Sequence, residues 1–500
     1  MWELTLVKSS SQLKRDGAGR HSRGFAVSRQ VDAEQLYMAR SSGVEGSVNA
    51  GPLAVNLASS KCSSWRVTRT SAARGVPDKI HGHAVSNLSV EGTALVIDLF
   101  SPEVRRNPWP VYDQLRTESP VLHVPPPFNG WMVFDYETVK WIMTDHASFS
   151  SRIPAPNFSF IFTDPPDHTR LRNLISRAFT PRAIADLEPA INDISNELFD
   201  SAMAAGKMEF SAEFSAPLAM RVIASVVGIA PEDWPRYKGW NDKLLGLTFS
   251  RSGGDRAQEA LRDFNSVTEE MSVYLAEKVE ERRSSPRNDL LTRLLEAEVD
   301  GDRLTHEEIL AFFRLLMFAG QETTMNLLNN AVVCFLDHPD QLSKLRNAPQ
   351  LLPSAIEEVL RYRSPFQWAM RTPLRDVEVH GTLIPKGAFL LPVAGAANRD
   401  PKYFPHPDRF DIARDPNPHL AFGHGIHFCL GAALARLEAR IALSDLLSRF
   451  ESFTYAGDEP WQPREGLIAH GPASLPIRFE VKRTDPAHVP LSQVDPIASS

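Results

Sequence analysis

The sequence predicts a mainly α protein with a smaller β-rich region, and three observations carry that prediction. Residues 181–300 keep a helical apolar period, broken only at the Gly/Pro clusters near Gly228-Ile-Ala-Pro231 and Ser252-Gly-Gly-Asp255. Thr305 and Glu308 are spaced as a capping box that opens a long helix through Leu328. Short β-rich runs bounded by turn residues occur at 120–134 and again at 368–387.

Taken in order, residues 1–93 stand apart from the rest. They are rich in Ser, Arg, Gly and Ala, poor in acids and without an apolar period. They read as a disordered N-terminal extension or an upstream start, and the composition also suits an organelle transit peptide. One folded domain is expected over 94–484, with a flexible tail over 485–500. The domain opens with a short helix at Asn107-Pro-Trp-Pro-Val-Tyr, then a hairpin, then a helical period from Asp135. The stretch 148–163, with Phe158, Phe160 and Phe162 among prolines, reads as an apolar loop that covers a ligand or packs on the core. In Asp164-Pro-Pro-Asp-His168-Thr-Arg-Leu-Arg172, Asp164 caps a helix opened by the prolines. His168 and Arg172 then share one face, spaced to clamp a pair of carboxylates or to form a solvated basic surface.

The long helix carries Phe318-Ala-Gly-Gln-Glu322-Thr323-Thr324. A mid-helix glycine costs about 1 kcal/mol relative to alanine, so Gly320 asks for a reason. One reason is that Ala319 and Gly320 let a flat cofactor or dioxygen approach and let the backbone open. The other is close helix–helix packing, with Thr323 bonded back to a carbonyl. Glu358 and Arg361 follow as an ion pair at i and i+3, and Arg371 lies in a β-like segment before a strand-turn-strand.

The most specific stretch is Phe422-Gly-His-Gly-Ile-His-Phe-Cys429-Leu-Gly431, which runs directly into a helix. A thiolate at a helix N-terminus is stabilised by the unpaired N–H groups there, and the glycines let the backbone bend or pass close to something flat. Cys429 is a small buried hydrophobe or a thiolate ligand to a haem iron, and the order F-x-x-G-x-H-x-C-x-G favours the second. Here the sequence resembles the cytochrome P450 family, over about residues 95–483, with the motifs in the family's order.

The resemblance implies the cytochrome P450 fold, one large haem-binding domain of the bacterial type. It implies a monooxygenase that places one oxygen atom of dioxygen into a small hydrophobic substrate. Cys429 would be the axial ligand of haem b, with Phe422, Gly425, His427 and Gly431 shaping its loop. His168, Arg172 and Arg371 would hold the propionates, and Ala319 and Gly320 would form the oxygen-side groove. Glu322 and Thr323 would relay protons. Glu358 and Arg361 would join Arg409 in a buried network fixing the haem-side core. The apolar candidates for substrate contact are Phe158, Phe249, Leu315, Phe318, Phe366, Trp368 and Ala469.

Composition narrows the partners. A net charge of -7 argues against general nucleic-acid binding, and 43% hydrophobic with 23% charged residues is ordinary for a globular protein. Three cysteines, Cys62, Cys334 and Cys429, indicate no disulfide framework and a reducing compartment, so the expected location is the cytoplasm. No apolar run is long enough to span a membrane; 214–230 is broken by Pro217 and Arg221. Without a flavin or iron–sulfur motif, electrons are expected from a separate ferredoxin and its reductase, docking on Arg170, Arg177, Arg436 and Arg440 of a monomer. The alternatives are a peroxide-driven haem-thiolate peroxygenase, a haem-binding sensor or carrier without turnover, and zinc on His424, His427 and Cys429.

Overall fold

The computed structural model describes residues 87–90, 93–96, 99, 101–125, 128–152, 160–245, 254–457, 461–464 and 468–482, all within the unit Val67–Ser500. The expected extension lies outside the described residues up to 86, as does the expected tail. The boundary expected at 94 falls inside an antiparallel hairpin, Asn87–Val90 with Thr93–Val96.

Four helices make the centre. Glu188–Met203, Ala216–Val227, His306–Asp337 and Ala432–Arg449 pack as a ring, each against two of the others. Leu198, Val222, Leu328 and Leu443 are buried in the apolar core that these helices share. The longest begins at the predicted box: the Glu308 N–H donates to Thr305 Oγ1 at 3.2 Å, and the Thr305 N–H donates to Glu308 Oε2 at 2.8 Å. It runs to Asp337 rather than stopping at Leu328. From Met325 to Phe335 every residue is buried, so no polar face marks a period there. Asn329 and Asn330 are tolerated in this interior because their amides donate to Ser211 Oγ at 2.9 Å and to the His470 carbonyl at 2.8 Å.

The β-rich part lies in small sheets. The predicted hairpin is Val121–Val124 with Gly130–Val133, and Leu390–Pro392 adds to it in parallel. Val377–Val379 pairs with Thr382–Ile384 across His380-Gly381, both at positive φ. Near the end, Gln462–Pro463 pairs with Pro472–Ser474, while Pro476–Val481 joins Phe450–Tyr455 to Lys207–Glu209. The helix Asp167–Ala178 starts without the expected side-chain cap. Asp164 turns instead to the Ser151 N–H at 2.8 Å and the Ser150 hydroxyl, tying its loop to a strand.

Glu358 and Arg361 form a fully buried bidentate pair, with both nitrogen–oxygen distances 2.8 Å. Their third partner corrects the expectation. Arg414 supplies the second guanidinium, 3.1 Å from Glu358, whereas Arg409 contributes its carbonyl to Arg361 and its side chain is exposed. Arg361 also donates to the carbonyls of Asn398 and Pro407, so one helix end fixes the long segment leading to the cysteine loop.

Candidate active site beneath the long helix

The cysteine loop is held by its own backbone. The Cys429 N–H donates to the Phe422 carbonyl at 2.8 Å, closing the loop, and a 3-10 turn spans Gly425–His427. Gly425 is needed twice over. Its φ is +71°, and a Cβ there would sit 3.2 Å from the Met143 carbonyl and the Thr144 Cα of the helix Tyr136–Thr144. Cys429 is exposed on the wall of a cavity of about 330 Å³. Burial pushes its thiol up. The Gly431 N–H, the charges of Arg172 and Arg436, and the Ala432 N–H pull it back only in part. The helix N-terminus alone does not make a thiolate here; a bound cation at the sulfur would.

The long helix closes the cavity with Leu315, Ala319, Gly320 and Thr323, and Phe366 and Trp368 line it too, as do Phe160 and Phe162. Cation-capable groups gather around it. His168 is 2% exposed, stacks on Phe160 at 5.4 Å, and has no partner for either ring nitrogen. Arg172 donates to the Phe428 carbonyl at 2.9 Å, and Arg371 to the Met370 carbonyl at 2.7 Å. Burial lowers Arg371 to about 10. The His427 ring lies 4.2 Å from that of His168; burial, then the charges of Arg371 and His168, drive it down to about 3. Among the described residues none of His168, Arg172 and Arg371 hydrogen-bonds a carboxylate. Buried positive charge without a partner is costly, so this arrangement fits an anionic group in the cavity.

The family model described as Cytochrome P450 matches residues 249–479. The chain is 40% identical to the biotin biosynthesis cytochrome P450 of Bacillus subtilis over 399 residues, 76% of this chain and 98% of that protein. This chain belongs to the cytochrome P450 family. It is also 37% identical to a vitamin D(3) 25-hydroxylase of Pseudonocardia autotrophica, over 76% of this chain and 96% of that protein. The structure of cytochrome P450 CYP109Q5 from Chondromyces apiculatus superposes with a TM-score of 0.71 at 40% identity, covering 77% of this chain and 98% of that one.

Cytochromes P450 are haem-dependent monooxygenases in which a cysteine thiolate ligates the iron. The cavity of this P450 fits that group from two sides: Cys429 opens into it, and Arg172 and Arg371 line it with no carboxylate hydrogen-bonded to them in the chain. Among the described residues no group of three or more His, Cys, Asp or Glu side chains is placed to hold a metal ion, which leaves the zinc alternative without a site.

Several expected site residues fall elsewhere in this P450. Thr323 lines the cavity, but its hydroxyl donates to the Ala319 carbonyl at 2.7 Å. Glu322 does not line it; its carboxylate lies 3.7 Å from Arg464, and burial raises it against the Arg464 charge. Gly320 borders the cavity, yet its smallness serves packing: a Cβ would run into Ile223 Cδ1, and the helix stays continuous through it. Phe318 packs on the core without lining the cavity. Ala469 bridges to Phe366 but is not in the lining either. Phe158 and Phe249 lie outside the described residues.

The expected basic face is largely neutralised in this P450. Arg170 pairs with Asp302 and Glu308, Arg436 with Glu357, and Arg440 with Glu188, while Arg177 is exposed. Sequence reasoning missed Glu438, which lines the cavity, is 1% exposed and is kept protonated by burial. Its signal was legible: a carboxylate four residues from Leu434 and from Ala442 falls on the apolar face of its helix.

Proposed function

We propose that this chain oxidises a small, predominantly apolar organic molecule held between the long helix and the aromatic wall of Phe160, Phe366 and Trp368, with electrons from a separate ferredoxin and reductase. The observation that carries the reading is the placement of Cys429 and Thr323 on one cavity that Arg172 and Arg371 also line, with His168 stacked behind its wall on Phe160. Haem, when bound, supplies activation of dioxygen and transfer of one oxygen atom to the substrate. Cys429 would hold the haem iron through its sulfur. His168, Arg172 and Arg371 are the proposed propionate partners, each offering donors that lack a carboxylate in the chain itself. Phe422, Gly425, His427 and Gly431 shape the loop, and the small Ala319 leaves room beneath the helix where Gly320 borders the cavity. Thr323 holds a proton-bearing group at its hydroxyl, and Glu322 serves as the buried acid behind it.

The substrate reading rests on chemistry. Leu315, Phe366 and Trp368 offer apolar surface and no charge, so substrate affinity is expected to follow buried hydrophobic area. The relative named as a vitamin D(3) 25-hydroxylase supports an apolar substrate. Among the described residues no helix is long and apolar enough to cross a membrane.

The test is the ferrous carbon monoxide spectrum of purified holoprotein. Wild type is expected to show the thiolate-type band and Cys429→Ala to lose it; a histidine-type band in wild type overturns the reading. Glu322 facing Arg464 instead of the cavity keeps a peroxide-driven reaction as the second reading. Turnover with hydrogen peroxide alone, matching that with reductant and ferredoxin, would select it.

A further inference from the structure

Glu357 stands one residue ahead of the buried Glu358 and serves a different assembly. Its carboxylate accepts from Arg436 Nε at 2.7 Å, from Arg436 Nη2 at 2.8 Å and from His419 Nε2 at 3.0 Å. The Ala421 N–H donates to His419 Nδ1 at 3.3 Å, which leaves the proton on Nε2 and makes that nitrogen the donor to Glu357. Three elements meet here. Glu357 comes from the helix Leu352–Tyr362, Arg436 from the second turn of the cysteine helix, and His419 from the segment entering the cysteine loop.

The assembly reaches the sulfur through Phe422. The Arg436 guanidinium carbon lies 4.5 Å from the centre of the Phe422 ring, and the Phe422 carbonyl accepts the Cys429 N–H at 2.8 Å. One full positive charge is therefore stacked on the residue that closes the loop, and one full negative charge balances it from the other side. Both side chains keep partial contact with solvent, 38% for Arg436 and 29% for Glu357, so either charge can be removed without opening the core.

We infer that Glu357, His419 and Arg436 form a charge-balanced positioning group behind the cysteine loop, which sets how readily the iron ligated by Cys429 accepts an electron. The inference rests on the haem-thiolate reading of Cys429. An unbalanced charge near a metal shifts the energy of its oxidised and reduced forms by different amounts, and groups outside the ligand set tune it in this way. With the pair intact, Glu357 offsets part of the Arg436 charge that the sulfur sees. With one member neutralised it sees the other.

The experiment is a reductive titration of holoprotein with dithionite and mediator dyes, alongside the ferrous carbon monoxide spectrum, for wild type, Glu357→Gln, Arg436→Gln and the double variant. Glu357→Gln leaves Arg436 unbalanced and should raise the midpoint potential; Arg436→Gln leaves Glu357 unbalanced and should lower it. The double variant should return toward wild type, and added salt should shrink both single shifts. All four should keep the thiolate-type band. Shifts of the same sign in the two single variants, or no shift in either, overturn the inference while leaving the haem-thiolate reading intact. A wild type without the thiolate-type band overturns both.

Discussion

At the scale of single residues, the cavity groups carry opposite consequences for the chain alone and for the chain with haem. Arg371 is 7% exposed and donates only to a backbone carbonyl, so it pays for burial without an anionic partner until one is bound. Replacing it by an apolar residue of similar size should make the haem-free chain no less stable, by urea titration. The same Arg371→Met variant should lose haem about 10- to 100-fold more readily to a haem-scavenging protein, because a charge-assisted hydrogen bond contributes about 1.5–3 kcal/mol. Parallel losses of stability and haem would contradict this assignment. Thr323 gives a second prediction. Its hydroxyl is within 2.7 Å of the Ala319 carbonyl and faces the cavity, so it can hold a proton there once released from that bond. Thr323→Ala should slow product formation by up to about 100-fold while reductant is still consumed, and Thr323→Ser should stay close to wild type. Product and reductant measured in one reaction decide it.

At the scale of elements, Gly320 shows how one residue type serves two neighbours. The helix Ala216–Val227 approaches the long helix closely enough that Ile223 occupies the place of a side chain on Gly320. Gly320→Ala gains about 1 kcal/mol of helix propensity but forces a methyl into a filled core, which typically costs about 1–3 kcal/mol. The variant should be less stable by urea titration, and adding Ile223→Val should recover part of the loss; if Gly320→Ala is stabilising on its own, the packing account fails. Element starts were legible in sequence where chemistry is local. Thr305 with Glu308, Asp135 at its helix start and the hairpin at 121–133 all rest on residues within a few positions of one another. The end of the long helix was not legible, because burial on every side erases the period that marks a helix. Nor was the use of Asp164, whose partners Ser150 and Ser151 compete with the helix N-terminus for the same carboxylate. Arg414 lies 56 residues from Glu358, and nothing local distinguishes it from Arg409. The cysteine loop was the opposite case: ten consecutive residues carried most of the site.

At the scale of the whole molecule, three buried or half-buried ionisable groups away from the propionate partners set how stability follows pH, and their signs differ. His470 is fully buried beside Trp109; burial, then the charges of Arg363 and Arg399, hold it neutral far below its ordinary 6.5. The unfolded chain takes up that proton below about 6.5 and the folded chain does not, so this group costs stability as the pH falls. Glu438 works the other way. Burial holds it protonated above its ordinary 4.5, so the unfolded chain alone ionises above that value and stability is lost as the pH rises. At Glu357 burial opposes ionisation, but the Arg436 and His419 hydrogen bonds outweigh it and hold the carboxyl at about 2, so its contribution is present above 4.5 and lost between there and 2. One proton is worth about 1.4 kcal/mol per pH unit. Between 4.5 and 6.5 the His470 and Glu438 contributions oppose one another, with His427, held at about 3, adding to the His470 side and Glu322, raised by burial, adding to the Glu438 side. Below 4.5 the Glu438 slope vanishes while His470 and Glu357 act together, giving a steep acid edge. Glu438→Gln keeps the shape and hydrogen-bonding size of the neutral acid but cannot ionise. In that variant stability should rise more steeply with pH above 4.5 than in wild type, when urea stability is measured from pH 4 to 8. A variant curve parallel to that of wild type would mean that Glu438 ionises in the folded chain, and that the cavity is wetter around it than its 1% exposure implies.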